Sequence, residues 1–455
     1  MSNLTQLRLA AREIFEEALA AVDPDAAVRR AVRLEASRLT IADVAIDIAN
    51  RPVYSIAIGK AAFQMAAAMD KILGERLTAG IIASNEPRFA AANSDRIERP
   101  QVNNLRHRVF YGGHPEPNEQ SLAAARASFD LLEKANAEHA LVMFLISGGG
   151  SAMIEWSLRE DITLADLRAA NKALVNSGAS IAEINSVRRG FSAVKGGRLA
   201  ALAPNCDQIT LIVSDVPPGQ ETTVASGPSL VPSADAPDAR EVIARYHLAS
   251  KLPETIVRAV ESDSTLFAEQ STNLRAHFVL LDNHSACEAA ADASQRRNFT
   301  TEIAGDISDQ PIAEGCAKLF ERLIQIEAAR ESAGKVVCLI SGGEFACPVR
   351  GNGIGGRNLE TALRLACAAD TGLSDHEHFV ALCAGTDGID GNSPAAGAVV
   401  DNTTIRRARA IGLAAKDFLQ RSDAYSFFVA LGEVVATGST GTNVRDLRIL
   451  LATRE

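Results

Sequence analysis

The chain is poor in the residues that mark several function classes. Aromatic side chains are 5% of its 455 residues, with one Trp and four Tyr, so the interior falls to Ala, Val, Leu and Ile. Small aliphatic side chains suit helices packed on buried parallel strands. Seven cysteines are scattered from Cys206 to Cys383 with no C-x-x-C pair. That spacing excludes a disulfide framework or zinc ribbon and reads as reduced thiols in a cytoplasmic protein. No apolar run reaches the roughly 18 residues of a membrane helix. The opening stretch MSNLTQLRLAAREIFEEALAAV carries Arg12, Glu13, Glu16 and Glu17, which argues against a signal peptide. Positive charge is in deficit: the net charge is -10 with both signs dispersed, which disfavours nucleic acid as a partner. A small anionic substrate stays open, because it responds to a few local cations.

Several catalytic signatures are also missing. Neither G-x-x-x-x-G-K-[ST] nor G-x-S-x-G occurs. No histidine spacing fits zinc, and His376-Glu377-His378 in TGLSDHEH reads as a surface loop.

What is present is alternation. Short apolar runs expected as strands are Val53–Ile58, Ile81–Ser84, Leu141–Ile146, Ile209–Val213, Phe278–Leu281, Val336–Ile340 and Phe379–Ala384. Helical periodicity fills Phe63–Leu73, Ser121–Ala135, Leu164–Ser177, Ser285–Arg296 and Ile312–Arg330. The length calls for more than one core. GPSLVPSADAPDA, residues 227–239, is the clearest break, giving expected domains of 1–235 and 236–455. The aperiodic stretch NEPRFAAANSDRIERPQVNN reads as a surface loop.

Glycine marks the chemistry. Leu145-Ile146-Ser147-Gly148-Gly149 and Leu339-Ile340-Ser341-Gly342-Gly343 both run an apolar strand into Ser-Gly-Gly. Open α/β sheets bind ligands at that strand edge. After the first copy come Gly150 and Ser151, and bare glycine N–H groups can cradle phosphate or carboxylate oxygens. Lys60 follows a strand and Gly59, where a cation can sit beside an anion at a helix start. Lys195-Gly196-Gly197-Arg198 breaks a helical pattern at a cost of about 1 kcal/mol per glycine, which asks for a structural or anion-binding reason. Asp215 ends another strand and suits a base, a metal ligand or a turn cap. Asp387 and Asp390 lie in a glycine loop that suits Mg²⁺, and His114 lies in a Gly-Pro loop open to substrate contact or scaffolding. Finally, Gly351, Gly353 and Gly356 match G-x-G-x-x-G, the dinucleotide fingerprint. The acidic residue expected about 20 positions on is displaced, since Asp387 lies 31 residues after Gly356.

These motifs, in this order, resemble the class II glycerate 2-kinase family, also called the MOFRL family, some members of which are named hydroxypyruvate reductases. The match runs through Gly59-Lys60, Gly113-His114-Pro115, Ser147 to Ser151, Glu183-Ile184-Asn185, Lys195 to Arg198 and Ser214-Asp215-Val216. It continues through Ala225 to Pro228, Ser341 to Glu344, Gly355 to Asn358, Gly385 to Gly391 and Gly441-Thr442-Asn443. The resemblance implies an α/β enzyme of two domains: a Rossmann-like parallel sheet, then a smaller MOFRL-type domain, with the active site in an interdomain cleft. It implies ATP, Mg²⁺ and transfer of the γ-phosphoryl to the 2-hydroxyl of D-glycerate or a related small hydroxy acid. Lys60, Asp215 and Arg357 would be catalytic. Ser147, Gly148, Gly149, Gly150, Ser151, Lys195, Arg198 and His114 would hold substrate or phosphate, Lys195 or Arg198 pairing with the substrate carboxylate; Asp387 and Asp390 would hold the metal. A homodimer is compatible with the sequence.

The chain departs from the family pattern at Pro218-Gly219-Gln220 (usually Gly-Asp-Asp), Phe345-Ala346 (Thr-Thr), Arg189-Gly190 (Lys-His) and Ile154-Glu155 (Leu-Pro), and Ile354 replaces an arginine. An NAD(P)H-dependent hydroxypyruvate reductase and a non-catalytic hydroxy-acid-binding paralogue therefore stay open as alternatives to the kinase.

Overall fold

The computed structural model describes residues 3–85, 106–262, 273–329, 335–372 and 377–454. The expected surface loop from Asn85 to Asn104 lies, beyond its first residue, outside the described residues, as does His376. The chain forms two compact units.

The first unit holds the described residues between 24 and 280 and begins with a small antiparallel sheet of β1 (Val32–Glu35), β2 (Arg38–Ile41) and β3 (Val44–Asp47). Its main sheet comprises β4 (Val53–Ile58), β5 (Leu77–Ser84), β6 (His107–Tyr111), β7 (Leu141–Ser147), β8 (Asp207–Val213) and β9 (Arg275–Leu281), in the order β6-β5-β4-β7-β8-β9. From β6 to β8 every pairing is parallel. Every residue of β4 and β7 is buried, as expected for central strands covered on both faces. Tyr54, Ile56, Ile58, Val142, Phe144 and Ile146 form one core with the helix Glu119–Ala137. That helix starts where its sequence says it should: the Asn118 side chain accepts from Ser121 N, and the Ser121 hydroxyl answers Asn118 N in a capping box.

The Pro- and Ser-rich stretch 227–239 does not end this unit. After it, helices Ala239–Arg245 and Glu254–Ser262 bury Val242, Ile243, Ile256 and Val260 against Leu167, Leu174 and Phe191. The chain divides near Leu280 and Leu281 rather than at residue 235.

The second unit holds the described residues from 281 onward and also those before 24. Its sheet comprises β10 (Thr300–Ile303), β11 (Val337–Gly343), β12 (Glu377–Gly385), β13 (Gly397–Asp401), β14 (Val434–Val435) and β15 (Asp446–Arg454), in the order β10-β11-β15-β12-β13-β14. Only β10 and β11 run parallel; β15 lies antiparallel between β11 and β12. Because β15 is reversed, its first residues stand beside the carboxyl ends of both neighbours. Glu377 and His378 open β12, so they belong to a strand and not to the expected surface loop. The helix Asn3–Ala21 buries Leu7, Ala11, Ile14, Phe15 and Ala18, one stripe at helical spacing, against Ile340, Val380, Leu382, Ile449 and Leu451. This stripe is why the first residues join the second unit.

Candidate active site

In the first unit the turn after β4 is braced by Ser147. Lys60 N donates to Gly148 O (3.0 Å), and Ala61 N donates to Ser147 Oγ (3.0 Å), which itself donates to Ile58 O (3.3 Å). Ser147 is fully buried. Its hydroxyl, expected at the substrate, is instead a strut between β7 and the β4 turn.

The two glycines that follow carry the chemistry. A Cβ on Gly148 would overlap the Asp215 carboxylate, so that position must be glycine while Asp215 folds over it. Gly149 has φ 78°, and a Cβ there would lie 3.1 Å from Lys60 Cγ and Cε. The Lys60 side-chain stem and the Asp215 carboxylate, from the ends of β4 and β8, therefore lie over consecutive glycines at the end of β7. Both residues are partly exposed. Next, a Cβ on Gly150 would be 2.8 Å from Ala225 Cβ and from Ile58 Cγ2, and Ser151 Oγ lies 2.8 Å from Ser226 Oγ. Ser226 donates in turn to Asn185 Oδ1 at 2.8 Å. His114 is exposed in the loop after β6. That loop is tied to the same turn: Gly113 N donates to Ser121 Oγ (3.0 Å), which donates to Ala152 O (2.7 Å).

Two expected carboxylate binders have other partners. Lys195 is 1% exposed and its Nζ is paired with Glu155 Oε2, also buried. Ser192 Oγ (2.5 Å) and Trp156 N (3.0 Å) donate to the other Glu155 oxygen. Burial pulls the lysine below its usual pKa range, with Glu155 opposing. A buried pair persists only when such hydrogen bonds complete it. Lys195 is thus a structural cation and not a surface for substrate. Arg198 Nη1 donates to the carbonyl oxygens of Arg189 and Ser192 and so ties the glycine turn to the preceding helix. Gly196 (φ 65°) and Gly197 (φ 80°) supply the left-handed turn that breaks the helical pattern there.

In the second unit Arg357 opens the helix Arg357–Gly372. Its Nε donates to Asp446 Oδ2 (2.6 Å), and Nη2 reaches Asp446 Oδ1 (3.3 Å) and Glu344 Oε1 (2.6 Å). Burial works against its charge, but Asp446 and Glu344 outweigh that and raise its pKa. The arginine expected to be catalytic is thus held by two carboxylates.

Asp390, expected to bind metal, is 2% exposed. Its Oδ1 accepts from Asn358 N (3.0 Å) and Oδ2 from Leu359 N (2.9 Å), so it caps that helix. Burial pushes its carboxyl up to about 7 against the pull of those N–H groups. Both oxygens face the helix backbone, which removes Asp390 from the metal set. Asp387 is half-buried, and its Oδ1 accepts from Ile389 N at 3.1 Å. Among the described residues, no group of three His, Cys, Asp or Glu side chains could hold a metal.

The fingerprint glycines have a structural use. Side chains at Gly351 and Gly353 would collide with the backbone at Arg421 and Asp423, and one at Gly356 with Asp390 and Gly391. The helix end where a dinucleotide fold seats its pyrophosphate is filled by Asp390. The second Ser-Gly-Gly is likewise occupied by protein: Asn283 Oδ1 accepts from Gly343 N (2.7 Å), and buried Arg448 donates to Ser341 Oγ (2.8 Å) and Gly342 O (2.5 Å).

Sequence reasoning missed Asp446 and underused Glu155 and Glu344. Asp446 opens β15, an unrecognised strand, although Gly441-Thr442-Asn443 just before it was a signal. Glu155 stood out only as a departure from a family pattern.

The chain matches two family patterns: a domain of unknown function, DUF4147, over residues 10–261, and the MOFRL family over 337–446. It is 32% identical to the D-glycerate 2-kinase of Thermotoga maritima over 445 residues, covering 97% of this chain and 98% of that one. An Agrobacterium vitis protein provisionally named hydroxypyruvate reductase is 35% identical over 400 residues, or 87% of this chain and 98% of its own. The crystal structure of Thermotoga maritima glycerate kinase superimposes with a TM-score of 0.78 at 30% identity, covering 99% of this chain and 100% of that one. Among the described residues no helix is long and apolar enough to cross a membrane.

Proposed function

The chain belongs to the glycerate 2-kinase, or MOFRL, family of phosphotransferases with alcohol acceptors, and from that premise we propose that it moves the γ-phosphoryl of ATP to the 2-hydroxyl of D-glycerate. The observation that carries the reading is the placement of Lys60 over Gly149 and Asp215 over Gly148. A phosphoryl group in transfer needs positive charge on its oxygens and a positioned acceptor, with little covalent help from the protein. Lys60 and the glycine N–H groups supply the first. Asp215 supplies the second: its carboxylate accepts the hydroxyl proton as the hydroxyl oxygen bonds to the γ-phosphorus. The bond from that phosphorus to the β,γ-bridging oxygen breaks, and ADP leaves.

Mg²⁺ takes most of its ligands from water and phosphate oxygens, so one protein carboxylate suffices. Asp387, in its glycine loop after β12, fits that requirement and Asp390 does not. When bound, the ion would neutralise phosphate charge. Arg357 would act as part of a Glu344–Arg357–Asp446 set that orders the start of its helix. The seven unpaired cysteines support the cytoplasm as the setting.

The packing of Gly351, Gly353 and Gly356 against protein weighs against the reductase reading. The test is ³¹P NMR of the product formed from Mg-ATP and D-glycerate, with a panel of hydroxypyruvate, tartronate and four-carbon acids as rival acceptors. A 2-phosphate ester of glycerate is expected. A 3-phosphate ester, or faster turnover of another acid, would overturn the position or the substrate. NADH oxidation by hydroxypyruvate without phosphoryl transfer would overturn the kinase itself.

A further inference from the structure

The basic segment of the first unit holds four cations, and three have evident partners. Arg188 donates to Asn171 Oδ1 (3.0 Å) and Asn185 Oδ1 (3.3 Å), Lys195 pairs with Glu155, and Arg198 donates to backbone carbonyls. Arg189 differs. Among the described residues its guanidinium makes no hydrogen bond or ion pair; the charge it feels is that of Arg198, a repulsion. It is half-buried, and burial with that like charge lowers its pKa. A guanidinium taken partly out of water with its donors unanswered is costly, and an anion would relieve the cost.

Its position is built. A Cβ on Gly196 would be 2.6 Å from Arg189 Cδ, so glycine makes room for the arginine to fold over the turn. At the next residue a Cβ on Gly190 would be 2.8 Å from Val260 Cγ2, so the helix Glu254–Ser262 closes directly over that backbone. Gly196 N donates to Ser226 O (3.1 Å), and Ser226 Oγ meets Ser151 Oγ (2.8 Å). Arg189 is therefore linked through Gly196 and Ser226 to the glycine loop over which Lys60 and Asp215 lie.

We propose that Arg189 binds the carboxylate of the hydroxy-acid acceptor, the role expected of Lys195 or Arg198. A planar guanidinium matches a planar carboxylate through paired hydrogen bonds, and one unpartnered cation suits a substrate with one negative charge. The assignment rests on the kinase reading and specifies how that site selects an acid.

The experiment compares full-length wild type with Arg189→Gln and Arg189→Lys, using ADP release against D-glycerate, against glyceramide (the uncharged amide), and against ATP. Arg189→Gln is expected to raise the KM for D-glycerate about 10- to 100-fold. The KM for ATP stays unchanged, the preference for acid over amide shrinks, and Arg189→Lys falls between. An unchanged acid KM, or a rise in the KM for ATP instead, would overturn the assignment while leaving the kinase reading intact. If the wild type shows no turnover, calorimetric binding of D-glycerate decides. Binding lost in Arg189→Gln supports the assignment, binding retained in it overturns it, and a wild type that binds no acid overturns both readings.

Discussion

At the scale of single residues, spacing identified which side chains to watch and burial decided what they do. Lys60 and Asp215 each follow an apolar run, and adjacent parallel strands bring both to the same glycine loop. Lys195 carried an equally strong signal and a different outcome. Its partner, Glu155, is 40 residues away and contributes no periodic pattern, so the pair was not legible in the sequence. Removing one partner of a buried pair leaves an uncompensated charge, so Glu155→Met is expected to cost about 3–5 kcal/mol in urea unfolding. The double change Glu155→Met with Lys195→Met is expected to cost less than that single change. A double variant less stable than Glu155→Met would show that the pair is not coupled. Gly148→Ala tests the loop from another side: its methyl would displace Asp215, so turnover should fall at least about 100-fold while the melting temperature moves little.

At the scale of elements, the helix starts show where local reading works and where it stops. Asn118 with Ser121, and Ser180 with Glu183, cap helices from within three residues, and such signals are visible in the sequence. The helix beginning at Arg357 is capped by Asp390, more than 30 residues further on, so the same carboxylate reads as a metal ligand until the fold is known. Its raised pKa has a consequence. Between the usual carboxylate range and about 7 the folded protein keeps a proton that the unfolded chain releases, so this group's contribution to stability falls as pH rises through that window. Asp390→Asn removes the titration. Its stability relative to wild type is expected to improve from pH 5 to pH 7.5 by about 1–2 kcal/mol, measured by urea unfolding at both values. A difference constant with pH would show that Asp390 is ionised throughout.

At the scale of the whole molecule, the alternation of apolar runs and helices foretold the first sheet far better than the second. Buried parallel strands announce themselves as continuous apolar runs, as β4 and β7 do. The small sheet β1–β3 turns at Ala36 (φ 56°) and Ala42 (φ 51°), with no Gly or Asn to mark the turns. β15 was missed because DLRILLATR mixes charge with aliphatic residues, although it lies at the centre of the second sheet. The first helix joined the second unit through contacts distant in sequence: its apolar stripe, and ion pairs of Arg8 with Asp401 and Glu433 and of Glu13 and Glu17 with Arg297. Phe15→Ala should therefore cost about 3–5 kcal/mol. It should raise hydrogen exchange in β12 and β15 and leave β4 and β7 protected; the reverse pattern would misplace that helix.

The most direct measurement is acid-dependent ADP release from Mg-ATP by wild type, Lys60→Met and Asp215→Asn, with melting temperatures alongside. D-glycerate is expected to drive release in the wild type, and each variant to lose at least about 100-fold in turnover while remaining folded. Equal rates in folded variants would contradict the assignment of the reaction to these side chains over Gly148 and Gly149.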